Sequence, residues 1–225
     1  MGPGERCGMT EESVSSRVGH SRLYLRAISE LAVYGYYRMN VLLRVYERWR
    51  PFPVPLPIQS VLFVCKGNIC RSPLAAVYFE SLVRKSGKQI SVRSAGLETT
   101  PGKPAHSNSK LVARENELSL ESHATAQVTA EVILSNDLIV VMEFGQKDRV
   151  ERVYPQASGK VLLLGALDSM GPIEIADPFG SEVDAFRTCF TQMTRCCNQL
   201  AARIGIEVPA PGITPQSMNR PQAVD

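Results

Sequence analysis

No run of about 18 uncharged apolar residues occurs anywhere in the chain, so nothing in it reads as a membrane span. The first 20 residues carry Arg6, Glu11, Glu12 and Arg17 and hold no apolar core of a secretion signal. No internal repeat is found. The formal net charge of +3 is too small by itself to argue for nucleic acid. There are only three His, and none forms a cluster with the six Cys, so no metal site is expected. His20 and His106 stand alone and carry no signal. The cysteines do not make a secreted disulfide framework: Cys70, Cys189, Cys196 and Cys197 lie in loop-like or helical segments, and none falls between Cys70 and Cys189. A reduced, cytoplasmic setting fits this usage.

What the chain does have falls into three parts. Residues 1–57 are an extension, 58–207 alternate apolar runs with helical patterns, and 208–225 are Pro-rich and read as a flexible tail. In the middle part Val61–Cys65, Gln89–Ser94, Leu138–Met142 and Lys160–Leu164 predict short buried strands. Helical patterns fall near 73–86, 106–117, 126–134, 145–152 and 182–204. Strands alternating with helices imply a three-layer α/β/α sandwich around a four-stranded parallel sheet. Ligands of such sheets bind beyond the carboxyl ends of the strands. On the last helical pattern, Cys189, Cys196 and Cys197 share spacing with Phe186, Phe190, Met193 and Leu200, which predicts core packing.

The most informative segment sits at one strand end: Cys65-Lys66-Gly67-Asn68-Ile69-Cys70-Arg71-Ser72-Pro73. An apolar strand runs into a loop whose N–H groups can wrap an anion, and Pro73 suits the first turn of a helix. Loop amides and a helix N-terminus together make a phosphate site. The same field favours a thiolate at Cys65. Arg71 can hold two phosphate oxygens in a planar fork. Nucleophile and anion cradle thus come from one short segment.

This loop resembles the signature of the low-molecular-weight protein tyrosine phosphatases. The similarity continues through Ser94-Ala95-Gly96-Leu97, Gly102-Lys103-Pro104-Ala105, Leu118 to His123, Val141-Met142-Glu143 and Asp177-Pro178-Phe179. The Ser-Ala-Gly-Leu and Gly-Lys-Pro-Ala stretches are most similar to the bacterial branch linked to exopolysaccharide and capsule control. The resemblance implies a phosphotyrosine phosphatase fold of flavodoxin type that needs no cofactor. It also assigns roles. Cys65 would attack phosphorus, and Arg71 with the loop from Lys66 through Gly67, Asn68, Ile69 and Cys70 would bind the phosphoryl oxygens. Ser72 would donate to the Cys65 sulfur, and Asp177 would be the general acid. Asn68 suits a left-handed backbone position, braced by Ser and by His123. Phe179 would stack on the phosphotyrosine ring, with Leu97 on the opposite wall. The Cys65–Cys70 spacing permits a reversible disulfide in related proteins; the plain alternative is that Cys70 fills space. The chain departs from the family pattern at Ala76, near Ala126 and at Gly180.

Two relatives of the same fold are weighed against a tyrosine phosphatase. Arsenate reductases relay oxidation through further mid-chain Cys, which this chain lacks. Protein-arginine phosphatases carry Thr where Ile69 stands, and a larger apolar residue there favours an aromatic ring. A catalytically silent phosphotyrosine-binding scaffold is the third alternative. The implied partner is a phosphotyrosine protein, such as a bacterial tyrosine kinase or a polysaccharide-pathway protein. The extension is amphipathic over residues 22–50, with Arg residues interleaved among apolar and Tyr positions. Packing on the domain or a partner is the first expectation for it, and contact with a membrane surface the second.

Overall fold

The computed structural model describes residues 57–169 and 171–207. The calls on the 1–57 extension, apart from its last residue, and on the 208–225 tail lie outside the described residues. Four parallel strands form one sheet in the order β2-β1-β3-β4: β1 Ser60–Cys65, β2 Ser91–Gly96, β3 Leu138–Val141 and β4 Val161–Leu163. The helices are α1 Arg71–Ser86, α2 Ser107–Glu115, α3 Ala130–Leu134, α4 Phe144–Val153 and α5 Val183–Arg203. Two short 3-10 turns, Pro155–Ala157 and Leu164–Leu167, flank β4.

Alternation along β1 explains the layers. Val61, Phe63 and Cys65 face a core built with α1, α2 and α5. Leu62 and Val64 face a second core with Ile139, Val141, Ile133 of α3 and Val150 of α4. A strand buried on both faces reads as a continuous apolar run, as this one does. Phe63 packs on Phe79 of α1 with ring centroids 5.5 Å apart, and each such buried ring contributes about 1.5–3 kcal/mol. Cys189, Cys196 and Cys197 are buried on α5 as expected. Burial pushes the thiols of Cys189 and Cys196 up to about 12, so they are inert packing groups.

Two expectations need correction. The second strand is Ser91–Gly96, later than Gln89–Ser94, because Gly96 pairs with Cys65 at the end of the ladder. The pattern near 126–134 yields a helix only over Ala130–Leu134. Before it, Gln127 forms a parallel bridge with Gly96, and Thr129 caps the helix by accepting from the Val132 N–H. Among the described residues no helix is long and apolar enough to cross a membrane.

Sheet order places the site. The chain leaves β1 for β2 on one side, while β3 lies on the other. The strand order therefore reverses at β1, and a crevice opens beyond its carboxyl end. Cys65 is the last residue of β1.

Candidate active site

Residues 66–70 turn from β1 into α1. Three of their carbonyls bond outward to the body of the protein. Lys66 O accepts from Glu98 N at 2.8 Å and Ile69 O from His106 N at 2.9 Å. Asn68 O accepts from His123 Nε2 at 2.8 Å. With carbonyls turned out, amides are left facing the other way. Among the described residues the N–H groups of Lys66, Gly67, Ile69 and Cys70 donate to no protein acceptor, while that of Asn68 reaches Cys65 Sγ at 3.3 Å. Successive free amides at a helix N-terminus form an anion cradle.

Asn68 is the hub that holds this shape. It sits at φ 54°, a left-handed conformation that Asn tolerates better than most residues. Its Nδ2 donates to Ser72 Oγ and to Ser94 Oγ, each at 2.9 Å. Its Oδ1 accepts from the Ala126 N–H at 2.9 Å. Because Ser72 Oγ accepts from Asn68, its own proton is shared between Cys65 Sγ, 3.0 Å away, and the Ala95 carbonyl at 3.4 Å. A chain of hydrogen bonds thus runs from Ser94 through Asn68 and Ser72 to the sulfur. Gly96 lies under the loop: a Cβ there would come within 3.0 Å of Lys66 O, Gly67 C and Asn68 N. His123 is partly buried, and desolvation lowers its pKa below the ordinary 6.5 despite the bond to Asn68 O. A carbonyl only accepts, so Nε2 carries a proton and donates to Asn68 O.

Arg71 is almost wholly buried, with 1% of its surface exposed. Its Nη1 donates to Glu143 Oε1 and, at 3.0 Å, to Ile175 O. Its Nη2 pairs with Asp177 Oδ2 at 2.6 Å. Burial disfavours the charge, but the bond from Glu143 and the two carboxylates outweigh it and raise the Arg71 pKa. Its Nε has no partner among the described residues. A buried donor without a partner is costly, and here it belongs to a residue lining the pocket.

Asp177 also accepts the Phe179 N–H on Oδ1 at 3.2 Å, closing an Asx turn at Asp177-Pro178-Phe179. Phe179 is 62% exposed and meets His106 edge-on, centroids 5.9 Å apart. His106 in turn stacks on Phe186 of α5 at 5.0 Å. Its Nδ1 accepts the Asn108 N–H at 3.2 Å and caps α2.

These groups enclose a pocket of about 250 Å³ lined by Cys65, Lys66, Gly67, Ile69, Cys70, Arg71, Glu98, Asp177 and Phe179. Most of the residues singled out from sequence therefore converge. Three are placed differently. Leu97 packs in the core with Leu62 and Val64 instead of lining the pocket. Side chains alternate along an extended segment, so the wall falls to Glu98, which pairs with Arg149 and, at 3.8 Å, with Lys66. Asn68 and Ser72 are fully buried; they support the sulfur and the loop and do not line the pocket. Cys70 is a free thiol beside free Cys65. Burial, then Asp177 and Cys65, push it up to about 12.

Sequence reasoning gave no role to Glu143, His106 or Glu98. For Glu143 the signal was its place within the matched segment Val141-Met142-Glu143, and for Glu98 its place directly after Ser94-Ala95-Gly96-Leu97. For His106 no local pattern marks a residue whose partners, Phe179 and Phe186, lie over 70 positions away.

A family model described as low molecular weight phosphotyrosine protein phosphatase matches residues 60–210. The low molecular weight protein-tyrosine-phosphatase Wzb of Escherichia coli K12 is 36% identical over 148 residues, covering 66% of this chain and 97% of its own length. The crystal structure of the Erwinia amylovora tyrosine phosphatase AmsI superposes with a TM-score of 0.62 at 31% identity, covering 68% of this chain and 99% of its own. The YwlE arginine phosphatase of Geobacillus stearothermophilus superposes with a TM-score of 0.60, also at 31% identity, covering 66% and 93%.

Proposed function

This chain belongs to the low molecular weight phosphotyrosine protein phosphatase family, and from that premise we propose how its site turns over a phosphotyrosine protein. Cys65 Sγ attacks phosphorus in line with the bond to the tyrosine oxygen. The S–P bond forms as the P–O bond breaks, giving a phosphocysteine. The free amides of Lys66, Gly67, Ile69 and Cys70 and the Arg71 guanidinium take the equatorial oxygens. Asp177, released from Arg71 as the phosphoryl group arrives, takes up a proton from solvent and gives it to the leaving phenolate. The resulting carboxylate takes a proton from water, whose oxygen attacks phosphorus. Sulfur leaves with the Ser72 hydroxyl donating to it, and inorganic phosphate is the product. Glu143 keeps a counter-charge on buried Arg71 throughout.

The observation that carries this reading is the loop itself: carbonyls bonded outward, amides free, and one sulfur facing two donors 3.0 and 3.3 Å away. Tyrosine is preferred because Ile69 and Phe179 line the mouth and an aryl ring fits between apolar walls. YwlE, named an arginine phosphatase, makes phosphoarginine the competing substrate; Ile69 disfavours its polar guanidinium. A bacterial tyrosine kinase or polysaccharide-pathway protein in the cytoplasm is the substrate that the branch resemblance supports.

The test is phosphate release from matched phosphotyrosine and phosphoarginine peptides, without metal and under reducing conditions, by wild type and Cys65→Ser. Turnover of the phosphotyrosine peptide that vanishes in the variant is expected. Turnover of only the phosphoarginine peptide would overturn the tyrosine reading. Tight binding with no turnover by wild type would indicate a silent binding protein.

A further inference from the structure

A second recess of about 400 Å³ opens beside the Cys65 pocket, lined by Gly67, Ile69, Glu98, Thr99, Thr100 and Lys103. It shares Gly67, Ile69 and Glu98 with that pocket, so a peptide whose phosphotyrosine enters one crosses the wall of the other. We propose that this recess is a subsite for an acidic side chain flanking the phosphotyrosine, with Lys103 supplying the charge that recognises it. The proposal rests on the phosphotyrosine-peptide reading above.

The loop that forms the recess is held by its backbone. Thr99 N donates to Gln127 Oε1 at 3.0 Å, and Gln127 Nε2 donates to Leu97 O at 3.0 Å. Thr125 Oγ1 donates to Thr100 O at 2.7 Å and accepts from Lys103 N at 2.9 Å. Thr125 N donates to Lys103 O, and Gly102 N to Thr125 O, each at 2.8 Å. Two residues outside the loop, Thr125 and Gln127, thus fix its course, which keeps the ordering cost of binding low.

The side chains left over point to an anion. Lys103 Nζ has no acidic partner among the described residues, and the Thr100 hydroxyl has none among their hydrogen bonds. The lone acid of the lining, Glu98, is already engaged by Arg149 and Lys66. The lining thus holds one acid whose charge is already shared with two cations outside it, and one lysine, Lys103, with no acidic partner among the described residues. A carboxylate entering the recess meets an unpaired ammonium and a free hydroxyl, while a cationic flank meets like charge. Successive residues of an extended peptide advance about 3.3 Å and alternate in direction, so a residue one or two places from the phosphotyrosine reaches an adjoining recess.

The test compares kcat/KM for phosphotyrosine peptides identical except for their flanks: alanine, aspartate at the two preceding positions, aspartate at the two following positions, and lysine. Rates are normalised for each enzyme to p-nitrophenyl phosphate, which has no flanks. The enzymes are wild type, Lys103→Glu and Lys85→Glu, the last an equal charge change on an exposed residue of α1. We expect one aspartate series to be favoured about two- to five-fold over alanine, the span of an exposed ion pair. That preference should vanish or invert in Lys103→Glu, survive in Lys85→Glu, and shrink in high salt. No acidic preference in wild type, or one that Lys103→Glu leaves intact, overturns the subsite. Hydrolysis of p-nitrophenyl phosphate but of no peptide would instead overturn the phosphotyrosine-peptide reading, and the subsite with it.

Discussion

The phosphate loop and the Asp177–Phe179 loop meet at Arg71 yet are built in opposite ways. In the first, Asn68 and Ser72 are fully buried and Arg71 nearly so, and side-chain donors and acceptors are matched from Ser94 to Cys65. In the second, Phe179 is 62% exposed. That loop is tied down by one Asx turn, one backbone bond from the Ser181 N–H to Pro178 O, one ion pair to Arg71 and one edge-on contact with His106. An oxyanion cradle gains from being preorganised, because donors already in place need no rearrangement in the transition state. A proton donor that must leave one partner to serve another gains from being loosely held. The difference teaches where rigidity is useful in this site and where it is not.

The largest way to break the contrast is in the Asp177–Phe179 loop. Asp177→Asn removes the proposed proton donor and one of the two carboxylates on Arg71. We expect kcat on phosphotyrosine peptides to fall about 10²–10⁴-fold, with a smaller loss on p-nitrophenyl phosphate, whose leaving group needs less protonation. The melting temperature should change little, since Glu143 still balances Arg71. Equal losses on both substrates would deny Asp177 the acid role.

The matching cut in the rigid loop is Asn68. Asn68→Ala removes three side-chain hydrogen bonds and leaves at φ 54° a residue that tolerates the left-handed region less well than Asn. It should cost about 2–4 kcal/mol in urea unfolding along with most of the activity. Asn68→Gly relieves only the backbone strain and should recover roughly 1 kcal/mol of that. If the two variants unfold alike, the left-handed backbone contributes nothing.

His106 touches both loops, through its N–H to Ile69 and its ring to Phe179. His106→Asn keeps a cap for α2 but loses the ring, whereas His106→Phe does the reverse. The Asn variant should raise KM for phosphotyrosine peptides about two- to five-fold as Phe179 loses its edge contact. The Phe variant should keep KM and lose about 1 kcal/mol of stability. Identical behaviour of the pair would leave His106 as packing alone.

The smallest effect expected is a pH dependence that belongs only to the rigid loop. The folded state lowers the pKa of His123 below 6.5, chiefly by burial. The unfolded chain therefore takes up a proton first as pH falls. The stability this contributes is complete above pH 6.5 and is lost progressively below it. Melting temperatures from pH 7.5 to 5 should decline more steeply for wild type than for His123→Gln. Parallel slopes would show that His123 stays uncoupled from folding.

Much of the phosphate loop was legible because its parts are adjacent. Strand, Asn at a turn, Arg, Ser and a helix-starting Pro follow one another, and local geometry does the rest. The strand ladder was legible for the same reason, since apolar runs of four or five residues admit few other structures. The second strand was misplaced by two residues because its outer half is polar and only pairing with β1 fixes its register. Leu97 was assigned to the wall and Glu98 overlooked because alternation depends on where that strand ends. The stretch 126–129 carries helical spacing, yet its backbone is taken by Gly96 and Asn68.

By itself, the sequence determined the fold class and the family, and it set Cys65 and Arg71 on one short loop between a strand and a helix. Tertiary structure alone decided that Arg71 lies between Glu143 and Asp177, that Thr125 and Gln127 fix the loop around Lys103, and that His106 is the platform behind Phe179. Those contacts join residues 22 to more than 100 positions apart. No local propensity encodes them; they arise only when the two cores close on the sheet and bring distant loops to the carboxyl end of β1.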